Sequence, residues 1–135
     1  MQLVKALVSA HDELASWRQH LHQNPEIAYE EKDTSDFVAA KLEDFGVEVH
    51  RGFGGTGLVG VIKGTLSDPA SGKAIGLRAD MDALPMSEET NLAYASQRPG
   101  RMHACGHDGH TTMLLAAARH LAETRDFHGT IYCIF

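Results

Sequence analysis

The chain has 135 residues, 43% of them hydrophobic and 22% charged, which fits one globular domain with a real core and excludes a disordered segment. Its formal net charge of −6 and the lack of any basic run argue against a nucleic-acid surface, and its longest apolar runs fall far short of a membrane span. Two cysteines do not make a disulfide framework, and the N-terminus carries neither the charged-then-apolar pattern nor the cleavage site of a signal peptide, so a cytoplasmic location is expected.

The first expected element is an amphipathic helix over residues 2–23. Leu3, Leu7, Ala10, Leu14, Trp17 and Leu21 draw one apolar stripe at alternating four- and three-residue steps. Pro25 ends it, because the residue before a proline is pushed out of the helical region. His20 and His22 flank the stripe and are expected as cap or surface residues. A second helix is expected over 31–45, with Phe37, Val38, Leu42 and Phe45 on its apolar face and Gly46 just past its end. Glu30, Glu31 and Asp33 crowd its start, as the helix dipole prefers.

A short strand over 47–50 and a glycine-rich turn over 52–57 follow. Residues 55–60 match the pattern G-x-G-x-x-G, but a dinucleotide site should open a helix there. Leu58-Val59-Gly60-Val61-Ile62 instead reads as a strand, so the glycines are assigned to a β-turn. Residues 65–73 form a polar hairpin or loop, with Ser67-Asp68-Pro69 and Ser71-Gly72 as turn signals.

The strand over 74–78 is short and mostly apolar, as a strand covered on both faces would be. It runs into Asp80-Met81-Asp82 and Pro85. Two carboxylates at the C-terminal end of a central strand stand where α/β sheets keep their sites; a capped turn closed by Pro85 explains the same residues. Residues 86–100 are polar and irregular. A third helix is expected from Thr111 to about Glu123, then a turn over 126–129 and a buried-type strand over 130–135. Strand, long connection, helix, strand implies a right-handed parallel crossover. The expected class is therefore α/β: a three-layer sandwich with a mainly parallel, mixed central sheet and helices on both faces.

The chemistry concentrates in residues 101–112, which hold His103, Cys105, His107, Asp108 and His110. Cys105 and His107 are two apart, so in an extended or looped backbone both can point to one side. A thiolate and an imidazole aimed at one point suit a borderline-soft divalent metal, and Gly106 and Gly109 let the chain turn tightly around it. A His-rich surface loop is the bland alternative. A Cys105 nucleophile with His107 or His110 as base is a third reading, but two-residue spacing suits chelation better than a triad. Cys133, in an apolar run, is expected to be a buried small hydrophobe.

Four segments carry a family resemblance: His22-Gln23-Asn24-Pro25-Glu26; Gly55-Thr56-Gly57; the run Leu77-Arg78-Ala79-Asp80-Met81-Asp82-Ala83-Leu84-Pro85; and Met102-His103-Ala104-Cys105-Gly106-His107-Asp108-Gly109-His110-Thr111. In this order they resemble the N-terminal part of the metal-dependent amidohydrolases that include hippurate hydrolase, N-acyl-amino-acid deacylases and auxin-conjugate hydrolases, within the dinuclear zinc exopeptidase clan. The resemblance implies that Cys105 and His107 are metal ligands. Related exopeptidases carry His-x-Asp where this chain has Asp80-Met81-Asp82, which leaves Asp80 without an assigned role and makes Asp82 a residue that orients a ligand.

The same resemblance implies a function: cleavage of the amide bond of a small N-acyl amino acid by water activated at a divalent metal, with two ions (Zn, Mn, Co or Ni) per complete site. It makes residues 1–135 the N-terminal part of the catalytic domain, without the lid or dimerisation domain, from a homodimeric or homotetrameric parent. No nucleic-acid or membrane partner is expected. Cys105 and His107 supply two ligands where a catalytic zinc needs about three, and no general base stands out. Metal occupancy in this chain alone is therefore expected to be partial or absent. The competing class is a non-catalytic α/β fragment with a vestigial metal site.

Overall fold

The computed structural model describes residues 4–66 and 72–135. Residues 1–3, with Leu3 of the expected first stripe, and most of the expected 65–73 turn lie outside the described residues. In chain order the elements are helices α1 (Lys5–Ser9), α2 (His11–Gln23) and α3 (Lys32–Asp44), strands β1 (Glu48–Phe53), β2 (Gly57–Lys63) and β3 (Ala74–Arg78), helix α4 (His107–Thr124) and strand β4 (Thr130–Ile134).

The strands form one mixed sheet in the order β1-β2-β4-β3. β1 with β2 and β2 with β4 run antiparallel, and β3 with β4 runs parallel. The mixed α/β class is as expected, and α4 makes the expected parallel crossover between β3 and β4. Among the strands of the described residues the parallel relation is confined to that pair. Gly57–Lys63 is a strand paired to β1 through a hairpin, so the glycine-rich stretch is a turn and opens no helix.

One face of the sheet carries the core. Leu58, Gly60 and Ile62 of β2 alternate inward, as do Ile131 and Cys133 of β4. They pack with Trp17 of α2, Val38 and Leu42 of α3, and Leu115 and Ala118 of α4. Burial of such side chains contributes about 1.5–3 kcal/mol each for the large aliphatic ones. The other face is open among the described residues: Tyr132 and Ile134 remain 39% and 38% exposed. Of the three expected layers, the described residues build two. The same fact corrects the reading of β3. It was expected to be central and covered, but it lies at the sheet edge with four of its five residues exposed, because its apolar composition reports the strand and not the layers beside it.

Three boundaries also differ. The first helix breaks at Ala10, where the backbone leaves helical geometry between α1 and α2. The apolar stripe continues across the break, so periodicity alone does not register it. The strand expected over 47–50 extends to Phe53. Helix α4 begins at His107, four residues before the expected start. Gly109 in its first turn disguises that start, since glycine is a poor helix former. Gly106 precedes the helix at φ 92°, a left-handed conformation that glycine adopts without steric cost.

Candidate metal centre

Backbone bonds bring the motif segments to one place. The Ala83 amide donates to the Glu26 carbonyl at 2.7 Å, and Leu84 and Met102 exchange bonds of 2.9 and 3.0 Å. The Thr111 hydroxyl donates to the Asp80 carbonyl at 3.0 Å. Thus the segment after β3 is held between the end of α2 and the start of α4. Glu26 anchors its own segment in turn. Its buried carboxylate accepts from the Thr34 amide and hydroxyl, both at 2.8 Å, and so satisfies donors in the first turn of α3, while Arg98 donates to it from the other side at 3.2 Å.

On this frame His107, the first residue of α4, meets both carboxylates that follow β3. Its Nδ1 lies 2.9 Å from Asp82 Oδ1 and 2.9 Å from the Asp82 carbonyl oxygen. Both partners only accept, so Nδ1 carries the proton and donates, and Nε2 keeps its lone pair in the neutral ring. Nε2 faces Asp80 Oδ2 at 3.5 Å. The other oxygen, Asp80 Oδ1, accepts from His110 Nδ1 at 2.7 Å. The rings of His107 and His110, one helical turn apart, stack with centroids 5.4 Å apart. Asp80, His107 and His110 each offer a ligand atom, all within 4.8 Å of one another. Burial works upward on the Asp80 carboxyl, but the hydrogen bond from His110 leads the contacts that outweigh it and hold the group below its ordinary value.

The donor set fits a divalent cation. It combines imidazole nitrogen with carboxylate oxygen, as zinc, manganese, cobalt and nickel accept. The tautomer of His107 is fixed by a carboxylate behind it, the usual support of a metal-binding histidine. Two clefts, of about 590 and 310 Å³, both include Asp80 in their walls.

A second histidine–carboxylate cluster lies directly behind. Asp108, 1% exposed, accepts on Oδ2 from His22 Nδ1 at 2.8 Å and from Arg18 Nε at 3.1 Å. His22 Nε2 reaches Glu88 Oε1 at 3.2 Å. His103, 4% exposed, has no hydrogen-bond partner for either ring nitrogen among the described residues, nor does Asp108 Oδ1. Burial pushes the His103 pKa down to about 4, with Asp108 pulling upward and His22 pushing down again.

The resemblance makes Asp82 a residue that orients a ligand, and in the structure its carboxylate accepts a hydrogen bond from His107. Cys105 is exposed and lies outside the Asp80, His107 and His110 group. Cys133 is buried, and burial raises its thiol pKa to about 11. His20 is at the surface against Phe37, as expected. His22 is not: it is buried, because its position on α2 turns it toward Asp108 on α4. Sequence reasoning also missed Asp108 and Glu88 as partners of His22. The one available signal was a polar residue falling next to the apolar stripe, which does not separate surface from buried network.

Residues 76–135 match the model of peptidase family M20/M25/M40. The whole chain is 48% identical to part of the hippurate hydrolase of Campylobacter jejuni, covering 34% of that protein. It is 41% identical to the N-acyl-L-amino acid amidohydrolase of Geobacillus stearothermophilus over 91% of this chain and 32% of that one. A crystal structure from Bacillus subtilis, described as a dinuclear metal binding peptidase from the M20 family, superposes with a TM-score of 0.87 at 38% identity, over 94% of this chain and 35% of the other. The chain spans about a third of the length of the curated relatives it matches. No helix among the described residues is long and apolar enough to cross a membrane.

Proposed function

We propose that this chain, a member of peptidase family M20/M25/M40, forms the first part of the catalytic domain of a metal-dependent amidohydrolase acting on small N-acyl amino acids. The observation that carries the reading is at His107. Asp82 fixes its Nδ1 proton at 2.9 Å and leaves Nε2 free in a cluster of oxygen and nitrogen donors. Similarity to a hippurate hydrolase and to an N-acyl-L-amino acid amidohydrolase supports the substrate class.

In this reading Cys105 and His107 hold a divalent ion, zinc, manganese, cobalt or nickel, and Asp82 orients His107. A complete site holds two ions. When bound, such an ion polarises the scissile carbonyl and lowers the pKa of water. The chain's own part is positional. Asp82 keeps His107 in one tautomer, the Leu84–Met102 backbone pair sets the distance between the two motif segments, and Gly106 turns the chain so that His107 opens the helix. No residue here is assigned the role of general base. The parent is proposed to be a homodimer or homotetramer in the cytoplasm.

The test is release of glycine from hippurate, with added Zn²⁺, Mn²⁺, Co²⁺ or Ni²⁺, by this chain and by a protein of the relatives' length that carries it. We expect chelator-sensitive turnover from the longer protein only. Loss of a general base alone typically lowers the rate by about 10² to 10⁴, so the 135-residue chain should stay near background. Full turnover by the short chain would overturn the partial-site reading. A longer protein that binds metal but leaves every N-acyl amino acid intact would overturn the substrate class.

A further inference from the structure

We propose that Asp80 is a metal-facing carboxylate, chelating the same divalent ion as His107, with His110 holding it in place. The inference rests on the metal reading above and assigns Asp80 and His110 roles within it.

The geometry separates the two oxygens of Asp80. Oδ1 is committed, since His110 Nδ1 donates to it at 2.7 Å. Oδ2 faces His107 Nε2 at 3.5 Å, too long for a good N–H···O bond, which is commonest near 2.9–3.0 Å. Nε2 also has no proton to give in the neutral ring, because Asp82 and its carbonyl hold the proton at Nδ1. An aromatic nitrogen lone pair and a carboxylate oxygen that face each other without a proton between them repel. The pair gains attraction once a cation sits between them. Two ligand atoms each about 2.1 Å from a tetrahedral zinc stand roughly 3.4 Å apart, which is the spacing found here.

Asp80 is also fixed on its main chain, where its carbonyl accepts from Thr111. Among the described residues, the further cation near Oδ2 is Arg78 Nη1 at 3.6 Å. Its side chain is 70% exposed, so it can swing into solvent when an ion takes its place. His110, half-exposed and one turn along α4, then acts on the metal through Asp80: it keeps Oδ1 occupied and turns Oδ2 toward His107.

The experiment measures Zn²⁺ binding to the 135-residue chain by calorimetry, and the Co²⁺ absorption spectrum as a second readout, for wild type, Asp80→Asn, His107→Gln and His110→Gln. Circular dichroism checks that each variant is folded. We expect Asp80→Asn and His107→Gln each to weaken Zn²⁺ by at least about 10-fold and to change the cobalt spectrum. His110→Gln should weaken binding by about 10-fold, as loss of a ligand's hydrogen-bond partner typically does. Should Asp80→Asn fail to fold, His110→Gln decides, since it alters only a half-exposed side chain. Loss in His107→Gln with wild-type affinity in both Asp80→Asn and His110→Gln would overturn the role of Asp80 and leave the metal reading standing. A Zn²⁺ affinity that His107→Gln leaves unchanged, in this chain or, where the short chain holds too little Zn²⁺ to measure, in a protein of the relatives' length that carries it, would overturn both.

Discussion

Two clusters of imidazoles and carboxylates meet at the start of α4, back to back, and consecutive residues belong to different ones. His107 looks outward to Asp80 and Asp82, whose side chains are a quarter to a third exposed. Asp108 looks inward to His22 and Arg18 and is 1% exposed. The outer cluster keeps a free lone pair on His107 and reach to solvent. The inner one has almost none of that freedom: Asp108 and His22 are spent on joining α2 to α4. Histidine beside aspartate is therefore not by itself a site. Burial decides whether such a pair binds something or braces the residues that do.

The comparison breaks most visibly at Asp108. Removing one member of a buried charged pair typically costs about 3–5 kcal/mol, since its partner stays buried without compensation. Asp108→Ala should therefore destabilise the chain by about that much, read from urea denaturation midpoints. Asp80→Ala, in the half-open cluster, should cost less than about 1 kcal/mol. Equal losses in the two variants would show that the clusters are one structural unit and not a site with a brace behind it.

Acid should separate the clusters next. His103 is buried neutral, with its pKa down from 6.5 to about 4. The unfolded chain takes up the proton near pH 6.5 and the folded chain only near 4. Stability is therefore full above pH 6.5, falls as pH drops through that window, and levels off below about 4 for this group. A shift of this size corresponds to about 3 kcal/mol. Glu88 adds to the lower end: burial raises its pKa, but bonds from Thr90, the Ser96 amide and His22 outweigh this and leave it lowered. Denaturation midpoints that stay constant from pH 7 to pH 4.5, or a slope that His103→Gln does not reduce, would contradict this account.

Much of this was legible beforehand, and the gaps have a physical cause. Helical period located α2 and α3, and short apolar runs located β2, β3 and β4; all of these except the edge strand β3 have one dry face. Strand-end logic marked the Asp80–Asp82 carboxylates as a possible site, and the Asp82–His107 bond puts that segment against the start of α4. What the residues could not reveal was the sorting of polar groups in depth. His22 and His20 differ by two positions on one helix, yet one is buried against Asp108 and the other is exposed on Phe37. That depends on where α4 crosses α2, a tertiary relation with no local signal. The bare face of the sheet was missed for a similar reason, since Val59, Val61 and Ile134 are as apolar as the residues that face the core.

The smallest effect expected is the one that most sharpens the division of labour. Asp82 touches His107 through its side chain and through its carbonyl, both at 2.9 Å, so Asp82→Asn removes only half of what fixes the ring. The asparagine amide can also present its N–H₂ to Nδ1, which favours the tautomer with Nδ1 as acceptor and Nε2 protonated. The carbonyl still favours the original tautomer, and the two compete. A binding ion must then shift that balance, which costs affinity and leaves the fold alone. Outer partners of this kind are typically worth about 10- to 100-fold in metal affinity, or roughly 1.4–2.7 kcal/mol. Asp82→Asn should therefore lower Zn²⁺ affinity by about 10-fold, at the weaker end because the carbonyl remains, while the urea midpoint moves by less than the Asp108→Ala shift. A variant that loses stability and keeps its affinity would assign Asp82 to the brace instead, and the line between the clusters would then run through His107 itself.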